Sequence, residues 1–263
     1  MKPKFSQFDR DVIRQVLTLA SILAALGANV FSNVAPVGDA TIGEIVNIQF
    51  GDLPINPANY AFAIWGVIYL GLLGFGGYQM HSGRRTHPIL RRSGWGVIVA
   101  SWAQIVWVWL FQMQFFVASV GAMLAILLAL IYGYPQLQSA DRSARSPSKF
   151  WVDFPLSIYL GWISIATIAN IAIALTAIGW QGGAISPTIW AAILIVAVTG
   201  LGAIVCGKYR DFAFTAVAIW ALVAIAIRQQ DLPLVAGTAS LGAIGLGIWM
   251  VWTIAKRNVR KTE

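Results

Sequence analysis

Charge is what this 263-residue chain has least of. Charged residues make up 11% of it and hydrophobic ones 58%, whereas a water-soluble chain carries about a quarter charged residues. Cysteine is nearly absent too. Cys206 stands alone inside an apolar run, which excludes an intramolecular disulfide and leaves packing as its role. The apolar runs hold almost no ionisable residue; the main exception is Asp153, close to Lys149 at the start of a run, where an acid suits a helix entrance. Ion-coupled pumps place ionisable groups at mid-membrane. Intramembrane proteases need a Ser/His pair, paired Asp or metal ligands, and retinal proteins need an embedded lysine. The runs supply none of these, so those classes are disfavoured. His81 and His87 share a basic loop with Arg84 and Arg85 and lack a third metal ligand, so they read as solvated loop residues.

What the chain does have is apolar length. A helix needs about 20 apolar residues to cross a bilayer, and eight segments qualify: 13–33, 60–80, 93–113, 115–134, 150–178, 187–206, 212–228 and 233–255. Segment 93–134 is about twice one crossing, so a turn is forced near Gln112-Met113-Gln114, whose two amides suit an interface. The expected fold class is all-α, a polytopic helical membrane protein with eight spans. Its basic residues alternate. Lys2, Lys4, Arg10 and Arg14 precede the first run, Arg84, Arg85, Arg91 and Arg92 follow the second, and Arg142, Arg145 and Lys149 follow the fourth. Lys208 and Arg210 follow the sixth, Lys256, Arg257, Arg260 and Lys261 follow the eighth, and only Arg228 falls in a gap of the other parity. Cytoplasmic loops carry Lys and Arg, so both termini are expected in the cytoplasm, in a bacterial inner membrane or its equivalent. Orientation and attraction to anionic membrane lipid account for the net charge of +8, and no nucleic-acid partner is expected. More spans follow the first run, which has no small-residue cleavage site and reads as an uncleaved helix.

The long gap, about residues 34–59, holds Asp39, Glu44 and Asp52, the prolines Pro36, Pro54 and Pro57, and an apolar patch of Ile45, Val46, Ile48, Phe50 and Leu53. It reads as a loop with a short helix resting on the bundle, and at this length as a lid. Several of the 12 Trp stand away from the span ends, where interfacial belts form. Trp102, Trp107 and Trp109 crowd the third span, Trp65 and Tyr69 share a face of the second, and Trp162 lies midway along the fifth. Gln104 and Asn170 are amides that need partners where there is no water, either across helices or on a ligand. Such an interior is a flat-sided apolar pocket with a few polar anchors, which suits a large planar molecule. Trp162 and Ala166 are one turn apart and share a face, as a stacking wall and the room beside it. On that reading Trp162→Ala weakens the ligand and leaves the protein folded.

Two stretches are recognisable. Asn56-Pro57-Ala58-Asn59-Tyr60-Ala61-Phe62-Ala63-Ile64-Trp65-Gly66-Val67-Ile68-Tyr69 resembles the loop-into-helix signature of the tryptophan-rich sensory protein/translocator protein (TspO/MBR) family: proline, aromatic, Phe, then Trp-x-x-Leu-Tyr. Tyr159-Leu160-Gly161-Trp162-Ile163-Ser164-Ile165-Ala166-Thr167-Ile168-Ala169-Asn170 is similar to that family's fifth-helix pattern. Gln104 and Phe115-Phe116 match the ends of its third-helix pattern, while Val108 replaces an Asn and Phe111 a Trp. The resemblance covers roughly residues 10–180. It implies a TspO-like five-helix bundle in residues 1–180, with residues 181–263 as a three-helix extension. It further implies that Trp65, Tyr69, Trp162, Ala166 and Asn170 line or border a pocket, and with Tyr60, Gln104 and Trp107 they make up the expected ligand site. The expected function is an integral membrane receptor or carrier for a hydrophobic planar ligand. A porphyrin, haem or chlorophyll-type tetrapyrrole bound non-covalently comes first, and an isoprenoid or sterol-like lipid second. The alternatives are a scaffold subunit for a partner membrane protein or a tetrapyrrole-modifying enzyme; a homodimer is the other partner implied. The last three spans carry no mid-membrane amide but recurrent glycine (Gly200, Gly202, Gly207, Gly237, Gly242, Gly245 and Gly247), which favours close helix contact. They are expected on the outside of the bundle and away from the pocket.

Overall fold

The computed structural model describes residues 7–38, 40–134 and 148–262, with side chains from residue 10 to residue 256. Lys2, Lys4, Asp39, Arg142 and Arg145, and the side chains of Arg257, Arg260 and Lys261, lie outside the described residues. The regular elements among them are all helical. They are α1 (Gln7–Val34), α2 (Ile42–Gln49), α3 (Ile64–Gln79), α4 (Pro88–Gln112), α5 (Phe116–Gly133), α6 (Phe154–Ala177), α7 (Pro187–Ile204), α8 (Phe212–Arg228) and α9 (Pro233–Thr262). A 3₁₀ turn, Asn59–Ala63, leads into α3; wider π turns, Lys149–Asp153 and Val205–Tyr209, lead into α6 and out of α7. Seven helical stretches are long and apolar enough to cross a membrane, from Arg10–Val34 to Pro233–Lys256. The helix Phe212–Arg228 has 17 residues and is about 25 Å long, the short limit for a crossing. The protein is a polytopic helical membrane protein.

Local chemistry starts these helices where the sequence changes character. Ser186 accepts from the Ile189 N–H (3.3 Å) ahead of Pro187, and Asp211 accepts from the Phe214 N–H (3.0 Å). Both satisfy donors that a helix start leaves free. Asp153 is buried in the turn before α6 and has an interaction partner.

The chain forms two compact units: Met1–Ile42 with Trp65–Leu160, and Gly43–Ile64 with Gly161–Glu263. The division does not fall at residue 180. In the first unit α4 packs on both α1 and α5. Gly96 and Gly133 let α4 and α5 touch at the backbone: a Cβ on Gly96 would meet Ala129 O at 2.7 Å. Ser93 adds a bond from its hydroxyl to Gly133 O (2.7 Å). The α4–α5 turn falls where length demands it, with Gln114 left-handed (φ 61°). Its two amides part company. Gln114 is exposed, but Gln112 is 2% exposed and donates to Ser32 O (2.8 Å) and Ala40 O (3.4 Å). It ties the end of α1 to the end of α4 instead of facing an interface.

A larger correction concerns Arg14. Counted with the basic residues ahead of the first run although segment 13–33 already takes it in, it is 1% exposed, inside Arg10–Val34. Its guanidinium donates to Gln79 Oε1 (2.8 Å), Leu90 O (3.0 Å) and Arg85 O (3.0 Å), and its Nε lies 3.7 Å from Asp11. Asp11 in turn takes both donors of a fork from Arg91. Gly94 makes the space, since a Cβ there would stand 2.8 Å from the Arg14 guanidinium. Thus α1, α3 and α4 share one buried polar knot. Removing one member of such a knot leaves the others desolvated and unpaired, at a cost of about 3–5 kcal/mol. Arg14→Ala is expected to lower the thermal midpoint in detergent markedly. Arg14→Lys recovers little, because an ammonium cannot fork between three carbonyls. Equal midpoints for wild type and both variants would show that the knot does not hold the helices.

In the second unit α9 packs on α7 and α8 around Ile55, Ile195, Val198, Ala218, Leu222, Ala239 and Leu246. Glycine serves this packing at some positions only. Gly202 rests on Leu246 and Ala218, Gly207 on Trp249, and Gly242 on Thr199 and Leu222, whereas Gly200, Gly237, Gly245 and Gly247 face open space. Cys206 is a buried free thiol.

Candidate functional site

The loop between α1 and α3 belongs in part to the second unit, and α8 holds it there. Arg228, the one basic residue outside the alternation, donates to Asn47 Oδ1 (2.7 Å) and to Pro57 O, Asn59 Oδ1 and Gly51 O (each 3.4 Å). Gln229 donates to Leu53 O and Asn56 O (both 3.2 Å), and Asn56 donates to Phe50 O. The Ala58 N–H reaches Ala224 O (3.0 Å), on the same helix. Backbone oxygens that would otherwise be stranded beside an apolar bundle are satisfied this way. The short helix expected from sequence is α2. Ile45, Val46 and Phe50 are buried, while Ile48 is 80% exposed.

On its other side this loop walls a cavity of about 820 Å³, within the range of small-molecule sites. Phe50, Leu53, Pro54 and Ile55 form one wall, Ile168, Ile171, Ala172 and Leu175 of α6 a second, and Trp190, Ala191 and Leu194 of α7 a third. Trp180, in the turn between α6 and α7, lines it as well. The Trp180 and Trp190 rings lie 5.7 Å apart at 56°, and Trp190 Nε1 donates to Gly182 O (3.0 Å). Gly182 has φ 94°, and a Cβ there would stand 3.2 Å from the Trp190 ring. The turn therefore needs glycine, and with it the indole is fixed.

The eight residues expected at the site divide evenly between the two units. In the first, Trp65 stacks on Tyr69 (5.8 Å between centroids, 30°), and the Tyr69 hydroxyl donates to Ala25 O (3.1 Å). Trp107 is buried against Phe111 (5.3 Å). Gln104 is 1% exposed, and neither its Oε1 nor its Nε2 has a hydrogen-bond partner among the described residues. Leaving such a group unsatisfied costs about 1–3 kcal/mol. In the second unit, Tyr60 meets Trp220 edge to face (4.9 Å), and Trp162 meets Phe62 likewise (5.9 Å). Asn170 is buried and has an interaction partner, and Ala166 is half-buried. None of the eight lines the 820 Å³ cavity. Among the described residues no group of three or more His, Cys, Asp and Glu could hold a metal ion.

A family model described as TSPO-like protein matches residues 15–252. The chain belongs to the TSPO-like protein family. The match runs through the last three helices, so the family likeness does not stop near residue 180 as the two signature stretches implied. Of these three helices, only α7 contributes described residues to the cavity wall. In this TSPO-like chain Trp220 of α8 donates to Ala61 O (3.2 Å) beside Tyr60. No curated protein and no solved structure matches the chain.

Sequence reasoning misses Trp180, Trp190, Arg228 and Gln229. The signal for Arg228 is present, because a lone basic residue on the wrong side of a charge alternation needs local partners. The sequence suggests a free wall at Trp162, but this residue is 3% exposed. Truncating a buried Trp to Ala costs about 3–5 kcal/mol in soluble cores, and the packing part of that persists in a bilayer. Trp162→Ala is therefore expected to lower the thermal midpoint of the TSPO-like protein, against the tolerance expected from sequence. An unchanged midpoint in a detergent melt would show that the indole bears no packing and is a free wall after all.

Proposed function

We propose that this TSPO-like membrane protein is a receptor or carrier for a hydrophobic, flat ligand, a tetrapyrrole or an isoprenoid or sterol-like lipid, held in the cavity between the loop, α6 and α7. One observation carries the reading: a cavity of about 820 Å³ whose walls are aliphatic and aromatic, lined by two indoles of which Trp190 is fixed by its hydrogen bond to Gly182 O. Indole faces and branched aliphatic walls favour a rigid planar body, since stacking adds about 0.5–1.5 kcal/mol beyond burial. The charge alternation supports an orientation with both termini in the cytoplasm, which puts the strapped loop and the cavity mouth on the opposite side. A ligand then reaches the site from that face or from the leaflet beside it. The aromatic residues matched to the family signature pack within their own units and, on this reading, do not touch the ligand.

Filling the cavity tests the proposal. Ala172 lines it and is half-buried, so a larger side chain there has room to enter the void. Titrating a porphyrin and a sterol by quenching of tryptophan fluorescence should give at least about tenfold weaker binding in Ala172→Phe than in wild type. An unchanged melting midpoint in that variant would tie the loss to the cavity. Equal affinities in the two proteins would move the site elsewhere, and no binding to either would favour the scaffold reading.

A further inference from the structure

The cavity walls offer charge of one sign only. Of the described residues lining it, Asp52 alone has an ionisable side chain; the other polar side chains are the amides of Gln49 and Gln181, the Thr176 hydroxyl and the Trp180 and Trp190 indoles. The Thr176 hydroxyl donates to Ala172 O (2.9 Å), so it presents a lone pair to a guest. Asp52 is exposed and makes no ion pair among the described residues. Arg228 reaches the carbonyl of neighbouring Gly51; it keeps its positive charge, but its donors go to loop oxygens and not to that carboxylate, and it does not line the cavity.

The helix ends at the cavity have the same bias. Ile171, Ala172, Leu175 and Thr176 belong to the last turns of α6, whose carbonyl end carries partial negative charge. The N–H groups of Ile178, Trp180 and Gly179 cap Ala174, Leu175 and Thr176 O, so this end adds only a weak preference for a cation. The start of α7 is the opposite kind of terminus, yet it offers an anion little. Pro187 has no N–H, Ser186 Oγ takes the Ile189 N–H (3.3 Å), and Ser186 O takes the Trp190 N–H (3.0 Å). A carboxylate entering here would lose water beside Asp52 and meet no cation in return. Burying an unpaired charge is unfavourable.

We infer that the cavity takes a flat amphiphile whose head is uncharged or cationic, and that it discriminates against carboxylates. The inference rests on the cavity reading under Proposed function and narrows it. Among flat apolar guests, a sterol-like alcohol, an amine or an esterified tetrapyrrole fits, and a tetrapyrrole dicarboxylic acid does not.

Protoporphyrin and its dimethyl ester share a ring and differ at two carboxyl groups, so the pair isolates the head. Both are titrated against the full chain in detergent, together with Asp52→Asn, Asp52→Lys and Ala172→Phe. Asp52 is solvent-exposed, so its variants are expected to fold, and their melting midpoints check this. The ester should bind wild type at least about tenfold more tightly than the diacid. Asp52→Asn should narrow that gap by about two- to fivefold, and Asp52→Lys by more. Diacid binding as tight as the ester, with both lost in Ala172→Phe, would overturn the charge selection and leave the cavity reading standing. A gap that Asp52 variants do not alter would also overturn it. Ester affinity untouched by Ala172→Phe would remove the cavity reading itself.

Discussion

A guanidinium turned toward a loop is the interaction on which the cavity depends. Residues 50–58 lie outside regular helix beside an apolar bundle, and their carbonyls, like the flanking amide side chains of Asn47 and Asn59, need donors that the neighbouring aliphatic side chains cannot give. Arg228 and Gln229, at the end of α8, supply them to six loop oxygens, from Asn47 through Asn59. Because the donors come from a helix packed in the unit's core, the loop is fixed as a wall. With that wall set, the space between it, α6 and α7 is closed on three sides. A mobile lid, as loop length alone implies, would leave Phe50, Leu53 and Pro54 without a defined place.

The first unit uses the same physics. Arg14 is held by three oxygens beside the Asp11–Arg91 pair, and Gln112 reaches across to Ser32 and Ala40. These polar groups are thus placed where helices meet connections. There a single side chain can satisfy several backbone groups. Between these points the helices rely on small residues and shape, as at Gly96 against Gly133 or Gly242 against Thr199. An apolar environment gives no hydrophobic reward for such contacts, so close fit and hydrogen bonds carry the association.

Span positions are legible in the sequence because an apolar run of about 20 residues, in a chain this poor in charge, fits little besides a membrane crossing. The α4–α5 turn and the short helix α2 are legible for related reasons, from length and from a local apolar patch. Side-chain partners are not. Arg14 looks like a flanking charge, because sequence gives no hint that Gln79 and the Leu90 carbonyl come within reach. Trp162 looks free, because its packing against Phe62 depends on a turn that brings residue 62 back to α6. The last three helices look peripheral because they lack mid-membrane amides, yet a cavity wall needs only shape, and Trp190, Ala191 and Leu194 provide it.

Hydrogen exchange across residues 47–59 in wild type and Arg228→Ala tests the strap most directly. If Arg228 fixes the loop, the amides of this segment exchange much faster in the variant while those of α7 and α9 are unchanged, and affinity for a cavity ligand falls with them. Unaltered exchange in the segment, with the cavity ligand still bound, would contradict the strap.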